Sequence, residues 1–495
     1  MSRSAELVAA LRREGLLRLA PPAGALPDFT ALTTDSRQVI PGALFVAVRG
    51  SQTDGHRFLK EAVDRGAGAV VAESRVDLAV PEMVVRDGRL AAITLARAWY
   101  GEPAAELALI GVTGTNGKTT TVGLLRHLLN ERGDAGSIGT LGAFDGAGRA
   151  VPSAAGSLTT PGPVELQATL AGLRDRGVRR VAMETSSHSL DQGRLDGLNF
   201  AAAVFTNLTL DHLDYHLTME HYLGAKLKLL GLLARDATIA VNADDPAWSA
   251  IPRSAGTITF GFSPAAELRA GLPALGATGS RFRLEGRFGT REVSLPLPGE
   301  FNISNALAAS AAALGQGLSL DEVVTRLRDA PQVPGRMERL AKEPFAVLRD
   351  YAHTPDALER ALGALRPLTP GRLIVLFGCG GDRDRAKRPV MGRLAGTRAD
   401  FTIVTSDNPR TENPETIIDE IMAGLPPAAP HLRMVDRREA IRSALELGTE
   451  GDTLLLAGKG HETYQVIGTE KQPFDEREIV AELLGSRSPE SGAGE

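Results

Sequence analysis

The chain has 495 residues, 43% of them hydrophobic and only 4% aromatic, with a formal net charge of −5. At ~150 residues per domain this length predicts about three domains, and a pI near 6.1 gives no basic surface for nucleic acid or anionic membrane. The N-terminus MSRSAELVAALRREG is charged rather than secretory, no apolar run reaches the ~18 residues of a membrane span, and the single cysteine, Cys379, excludes intrachain disulfides, so a cytoplasmic protein is expected.

The first segment, 1–105, contains short strand-like runs at 43–48 and 69–72, separated by turns such as Asp54-Gly55. The second opens at 106, where an apolar run at 107–112 predicts a buried parallel strand. That run leads into Gly114-Thr115-Asn116-Gly117-Lys118-Thr119-Thr120 and then into the helical pattern Val122, Leu124, Leu125, Leu128, Leu129. Strand, glycine turn and helix form a phosphate cradle: backbone N–H groups converge on the anion, and the helix N-terminus adds positive potential. Lys118 is placed to reach the β- and γ-phosphates of a nucleoside triphosphate, and the Thr119 hydroxyl to ligate Mg²⁺. The spacing departs from the common P-loop, because Val112 stands where its first glycine would be. A glycine turn that bound nothing would have no need of Lys-Thr-Thr at the helix start.

Further along, an apolar run at 178–183 leads into Glu184-Thr185-Ser186-Ser187-His188. Another at 201–205 leads into Thr206-Asn207-Leu208-Thr209-Leu210-Asp211-His212, and a third at 238–241 precedes Asn242-Ala243-Asp244-Asp245. Alternation of apolar and helical stretches predicts a parallel sheet with helices on both faces. Glu184 and His212, each just past a strand end, are suitable Mg²⁺ ligands, although Asp-His pairs also serve simply to cap helices. The third segment, 334–495, starts at Pro334-Gly335-Arg336 and repeats the pattern, with apolar runs at 373–377, 401–405 and 453–457. The loop after each lies where ligands of open α/β sheets bind. Cys379, among glycines, suits a tight turn better than a nucleophile. The tail at 486–495, SRSPESGAGE, predicts disorder.

The motifs GTNGKTT, METSSH, TNLTLDHLDYH, LPGEFNISNALAA, DYAHTPDAL and FGCGGDRDRAKRP follow one another in order across nearly the whole chain. Together they resemble the Mur ligase family, the ATP-dependent amide-bond-forming enzymes of peptidoglycan precursor synthesis. The resemblance implies an α/β fold of three domains: a smaller N-terminal domain that binds a UDP-sugar, a central P-loop-type ATPase sheet, and a C-terminal Rossmann-like domain for the amino acid. It implies that ATP phosphorylates a substrate carboxylate and that an amine then displaces phosphate through a tetrahedral intermediate. Lys118, Glu184, His212 and Lys226 take the catalytic positions. Lys226, in MEHYLGAK, matches a lysine that the family carries as a carbamate; the carbamate would join Thr119, Glu184 and His212 around Mg²⁺. Lys228, two residues on, faces elsewhere on the helix and serves as the surface lysine for comparison. Asn302 and Asn305 match the adenine contacts and Asp350 the ribose contact, with Arg336 at the hinge into the last domain. Thr34, Ser36, Ser51, Gln52 and Thr53 match the uridine and pyrophosphate loops. Thr159, Thr160, Ser186, Gln192 and Arg194 match residues that hold the muramoyl dipeptide, while Leu158 stands where the family pattern has asparagine.

Two further motifs, Ser406-Asp407-Asn408-Pro409-Arg410 and Gly458-Lys459-Gly460-His461-Glu462, resemble those of members that add meso-diaminopimelate to UDP-MurNAc-L-Ala-D-Glu. Lysine and diaminopimelate differ by one terminal carboxylate. An arginine fork such as Arg410 matches that group in a bidentate way, and a site built for it rejects the analogue without it. By the same resemblance, Gly458 and Glu462 receive the distal ammonium and Arg383 the proximal carboxylate. The bland alternative is a surface turn, which Asn-Pro favours. Competing functions are the lysine-adding sibling, a folylpolyglutamate-synthetase-like ligase, and a P-loop switch without ligase activity. Small-molecule substrates, ATP among them, and a monomer are expected.

Overall fold

The computed structural model describes residues 2–22, 24–50, 53–152, 158–276 and 278–485. Ser51, Gln52 and the tail at 486–495 lie outside the described residues. The chain divides into two compact units, one of residues 1–267 with 308–319 and one of 268–307 with 320–495.

The first unit contains two sheets. The smaller is built from β1 (Leu17–Leu19), β2 (Leu32–Thr33), β3 (Leu44–Val46), β4 (Ala69–Ala72) and β5 (Glu82–Val85) in the order β1-β5-β4-β3-β2, with only β1 antiparallel. Its central strands are buried on both faces. Leu44, Val46 and Val71 pack with Leu7, Leu11 and Leu95 of the helices Arg3–Arg13 and Gly88–Trp99, while Phe45 and Val70 meet Val39 and Leu59 on the other side. Alternation of side chains along each strand makes that division unavoidable.

The larger sheet uses β6 (Ala108–Thr113), β7 (Ala135–Gly139), β8 (Gly142–Phe144), β9 (Ala150–Val151), β10 (Arg180–Glu184), β11 (Phe200–Phe205), β12 (Leu233–Asn242) and β13 (Thr257–Gly261). Their order is β13-β12-β11-β6-β10-β7-β8-β9, parallel from β13 to β7. β10 and β11 flank β6 on opposite sides, with Glu184 level with Val112 and Phe205 level with Thr113. The carboxyl ends of all three strands therefore open beside one another, at the kind of crevice where open α/β sheets bind ligands.

The second unit begins with an antiparallel ladder of β14 (Leu268–Gly276), β15 (Gly279–Gly286) and β16 (Gly289–Leu295). Its main sheet is β17 (Glu338–Ala341), β18 (Ala346–Asp350), β19 (Leu373–Phe377), β20 (Phe401–Val404), β21 (His431–Arg433) and β22 (Thr453–Ala457). The order is β17-β18-β22-β19-β20-β21, parallel except at β17. Val375 and Phe377 face Leu358 and Met391, while Ile374 and Leu376 face Ile441 and Leu445, so helices cover both faces. A hairpin of β23 (Tyr464–Ile467) and β24 (Glu470–Pro473) follows. The architecture is α/β with three parallel-rich sheets, as the motifs imply. No helix among the described residues is long and apolar enough to cross a membrane.

Candidate active site

The phosphate loop spans the gap between β6 and the helix Lys118–Leu129. Gly114 has φ +146°, and a Cβ there would stand 1.9 Å from Thr206 Oγ1; Gly117, at φ +84°, caps the helix in the left-handed region. Only glycine meets both demands without strain. The loop interlocks with the one after β11. Asn116 N–H donates to Asn207 Oδ1 at 2.9 Å, Thr206 Oγ1 to Asn116 O at 2.7 Å, and Thr115 N–H to Asn207 O at 2.7 Å. Lys118 Nζ folds back on the carbonyls of Gly114 (2.9 Å) and Thr115 (2.8 Å), while Thr119 and Thr120 are buried at the first turn.

Lys226, predicted from the motif, lies in the helix Met219–Leu227 and is 1% exposed. Its Nζ donates to Gly114 O at 2.8 Å and lies 4.2 Å from the centre of the Tyr222 ring. Burial, then the neighbouring Lys118 cation, hold its pKa well below the ordinary lysine range. Two amines thus converge on one carbonyl, an arrangement unfavourable to both as cations. Lys228, by contrast, is half-exposed and pairs with Asp191 at 2.7 Å.

Glu184 ends β10 with 1% exposure, and its carboxylate accepts from Thr140 N–H (2.8 Å) and from the Thr140 hydroxyl (3.2 Å). His212 caps a short helix at φ +53°; burial depresses its pKa, with Lys118 and Lys226 adding to the effect. A neutral imidazole, a carboxylate and the Thr119 hydroxyl form a donor set that suits a hard divalent cation with phosphate and water completing its shell. The side chains do not assemble a cage of three His, Cys, Asp or Glu among the described residues. A cluster that motif reasoning did not single out lies alongside: His188 sits 4.9 Å from His212 and 4.3 Å from Tyr215 between ring centres. Burial lowers the His188 pKa to about 4.

A cleft of about 370 Å³ is lined by Thr34, Arg49, Arg89, Gln192 and Arg194, among others. It brings residues of the first segment together with residues of the second. Thr160 is fully buried; its hydroxyl donates to Glu184 O at 2.9 Å, and its carbonyl accepts from Arg194 Nη1 at 3.1 Å. Ser186 N–H donates to Thr160 Oγ1, and Thr140 Oγ1 to Thr159 Oγ1. Ser36 is buried beside the Asp35 cap, whereas Thr53 is exposed and contributes its carbonyl to Gly50 N–H. Leu158 is exposed, at 46%. Arg49 and Arg89 were not foreseen, because an isolated arginine, in a short loop or at a helix start, carries no motif.

In the second unit, Asn302 and Asn305 are buried on the first turns of the helix Glu300–Gly315, joined Nδ2 to Oδ1 at 3.4 Å. Asp350 ends β18 and accepts Met337 N–H at 2.7 Å; burial raises its pKa. The Arg336 guanidinium lies 4.8 Å from the Tyr351 ring centre. Gly458 N–H donates to Asp350 O at 3.0 Å, so the loop after β22 touches the end of β18. Asn408 Nδ2 donates to Glu462 Oε2 at 2.8 Å, and Lys459, fully buried, donates to both side chains at 3.1 Å. Arg410, at φ +52°, donates Nη1 to Gly381 O at 2.7 Å. Asp407 is buried, Pro409 lies between these residues, and Arg383 is exposed on the neighbouring loop. The structure thus joins DNPR and GKGHE directly. Lys459 was missed as a site residue because a lysine between glycines suggests solvent.

A glycine loop on a parallel sheet, with two lysines and a carboxylate at the strand ends, defines a nucleotide-dependent phosphoryl-transfer enzyme. Models of the Mur ligase middle domain, the glutamate ligase domain and the Mur ligase family catalytic domain match residues 112–313, 335–460 and 28–99. The chain is 45% identical to the UDP-N-acetylmuramoyl-L-alanyl-D-glutamate–2,6-diaminopimelate ligase of Gloeobacter violaceus, over 93% of this chain and 94% of that protein. A solved structure of a ligase of the same name aligns at 34% identity and TM-score 0.64, covering 93% of this chain and 95% of that one. The MurF ligase of Thermotoga maritima in complex with ADP shares the fold at 21% identity and TM-score 0.64, covering 92% and 97%. The chain belongs to the Mur ligase family.

Proposed function

We propose that this chain is an ATP-dependent ligase that adds meso-diaminopimelate to UDP-MurNAc-L-Ala-D-Glu, acting as a cytoplasmic monomer. The observation that carries the reading is the direct junction of the DNPR and GKGHE loops through Asn408, Lys459 and Glu462, beside the Arg410 fork. On this reading residues 1–105 bind the UDP-sugar, 106–333 bind ATP and 334–495 bind the amino acid.

The glutamate carboxylate of the acceptor attacks the γ-phosphorus of ATP, and ADP leaves. Carboxylate is a poor electrophile, so this step is what makes it reactive. The diaminopimelate amine then attacks the acyl carbon, phosphate leaves with the bonding pair, and the nitrogen releases a proton. The protein contributes positioning and charge stabilisation. Lys118 exchanges its two loop carbonyls for phosphate oxygens, and the N–H groups of the Gly114–Thr120 loop that Asn207 does not hold complete the cradle. Asn302, Asn305, Arg336 and Asp350 take the adenosine. The cleft of Thr34, Gln192 and Arg194, with Ser36, Ser51, Gln52, Thr53, Thr159, Thr160 and Ser186, takes the UDP-MurNAc-dipeptide; its arginines suit the diphosphate and carboxylates. Arg410 and Arg383 hold the two amino-acid carboxylates, with Asp407, Asn408, Pro409, Gly458 and Glu462 around the distal ammonium.

Thr119, Glu184, His212 and carbamylated Lys226 would hold Mg²⁺, which would supply charge neutralisation to the phosphates. A carbamate forms only from an unprotonated amine, and the depressed pKa of Lys226 supports that state. The modification also replaces the repulsion between Lys226 and Lys118 with attraction. The test is ADP release with the UDP-dipeptide and a panel of amines. Turnover that requires both partners and favours diaminopimelate over lysine by orders of magnitude is expected; equal turnover with lysine overturns the assignment.

A further inference from the structure

We propose that Arg437 and Glu476, an ion pair enclosed behind the C-terminal sheet, are positioning residues that set the distance between the DNPR and GKGHE loops and thereby the selectivity for the incoming amine. This rests on the amine-binding role proposed for those loops.

Both side chains are 0% exposed. Arg437 Nη1 donates to Ser406 O at 3.2 Å, Nη2 to Ala457 O at 2.9 Å, and Nε to Glu476 Oε1 at 2.9 Å. Ser406 immediately precedes Asp407, and Ala457 immediately precedes Gly458. One planar guanidinium therefore grips the last carbonyl before each amine-binding loop. The strands that deliver these loops, β20 and β22, do not pair with each other; each pairs with β19 between them. No ladder bond joins their ends directly; Arg437 spans them from behind, while farther out Gln465 Nε2 donates to Asp407 O at 2.6 Å and Arg410 N–H to Val466 O at 3.1 Å.

Stability does not account for the arrangement. Arg437 opens the helix Arg437–Leu447, where the helix dipole opposes a cation, and Asp436 supplies the cap. A fully buried ion pair is commonly no more stabilising than apolar side chains of the same volume. Glu476 Oε2 is moreover buried without a hydrogen-bond partner among the described residues, a further cost. What an arginine supplies here is a rigid fork that reaches three acceptors in one plane, which lysine cannot reproduce. Recognition of a second carboxylate tolerates displacements of only ~0.5 Å. The Asn408–Glu462 contact at 2.8 Å and the Lys459 bonds to both side chains at 3.1 Å are links between the loops that drift would loosen.

The test compares Arg437→Lys, the double variant Arg437→Met/Glu476→Leu, which leaves no unpaired charge, and Glu476→Gln, which keeps an acceptor for Nε. KM and kcat are measured for each substrate, with diaminopimelate and lysine as alternative amines, on proteins shown to be folded by circular dichroism. Arg437→Lys and the double variant are expected to raise KM for diaminopimelate at least tenfold. They should lower the diaminopimelate-to-lysine ratio of kcat/KM at least tenfold, with KM for ATP and for the UDP-dipeptide within twofold of wild type. Glu476→Gln should keep the ratio within threefold whatever happens to its melting temperature. Folded variants at Arg437 that keep the ratio and the amine KM within twofold overturn the proposal. So does failure of both Arg437 variants to fold, which would make the pair a folding element. A wild type that uses both amines equally defeats the amine assignment itself; a selective wild type with indifferent variants defeats only the positioning role.

Discussion

Replacing Lys226 with methionine should abolish most activity and yet make the protein more stable. The side chain is 1% exposed, and its ammonium has one hydrogen bond, to Gly114 O at 2.8 Å, and one aromatic face, that of Tyr222 at 4.2 Å. Confining an ammonium there costs several kcal/mol even after relaxation. The hydrogen bond returns about 1.5–3 kcal/mol and the ring about 1–2 kcal/mol, while Lys118 adds repulsion. Methionine has similar length and no charge, so a net gain of roughly 1–3 kcal/mol is expected. At about 2–4 °C per kcal/mol for a domain of this size, the melting temperature should rise by roughly 2–12 °C. The sign with pH follows from the lowered pKa. Above the ordinary lysine pKa, about 10.4, both folded and unfolded chains are neutral and the cost vanishes; as pH falls below it, the unfolded chain takes up a proton that the folded chain resists. The advantage of methionine should therefore be greatest at the low end of the range and shrink steadily towards pH 10. The assay is thermal unfolding of both proteins in CO₂-free buffer across that range, with turnover measured in parallel. Activity should drop about 10²–10³-fold, the scale for removing one preorganised charge from a transition state. Bicarbonate should restore CO₂-depleted wild type but not the variant. A variant less stable than wild type at pH 7, or one with near-normal turnover, refutes the reasoning.

Lys118→Ala should eliminate ADP formation while calorimetry finds affinity for the UDP-dipeptide within about twofold of wild type; a parallel loss of affinity would mean the proposed boundary near 105 is misplaced. Arg410→Ala should cut kcat/KM for diaminopimelate about a hundredfold, the worth of a bidentate charge-assisted pair at ~3 kcal/mol, and leave turnover of lysine little changed; equal losses would return Arg410 to a structural turn. Gly114→Ala should lower stability by roughly 2–5 kcal/mol through strain and overpacking together, since its Cβ would collide with Thr206 Oγ1. A melting temperature equal to wild type would count against the loop geometry.

The parts legible in the sequence were those where periodicity and chemistry coincide. An apolar run followed by Gly114–Thr120 or Asp407–Arg410 marks both a strand end and a reason for polar groups to gather there. The antiparallel ladder of β14–β16 was not foreseen. The alternation of β14 is interrupted by Gly271, Pro273 and Gly276; Arg281-Phe282-Arg283-Leu284-Glu285 in β15 does alternate and was a legible sign of the ladder. Arg49 and Arg89 in the cleft, and Arg437 behind the sheet, escaped because a charged residue in a polar context suggests solvent. Arg49 is indeed exposed, but the placement of the other two depends on neighbours far away in the chain: Arg89 reaches Gln192 O at 2.8 Å, and Arg437 reaches Glu476. Lys226 was found only through its motif, since spacing alone cannot reveal that a lysine lies 1% exposed.

Thr160 has a consequence that reaches beyond packing. Its hydroxyl holds the carbonyl of Glu184 and its own carbonyl holds Arg194, while Thr140 holds the Glu184 carboxylate. Four residues thus run without a break from the phosphate loop's acidic neighbour to the wall of the cleft. If that chain couples the two ends, any factor by which a ligand in the cleft tightens nucleotide binding must be matched by the nucleotide tightening the ligand. An acceptor that draws Arg194 towards its carboxylates pulls on the same string that orients Glu184.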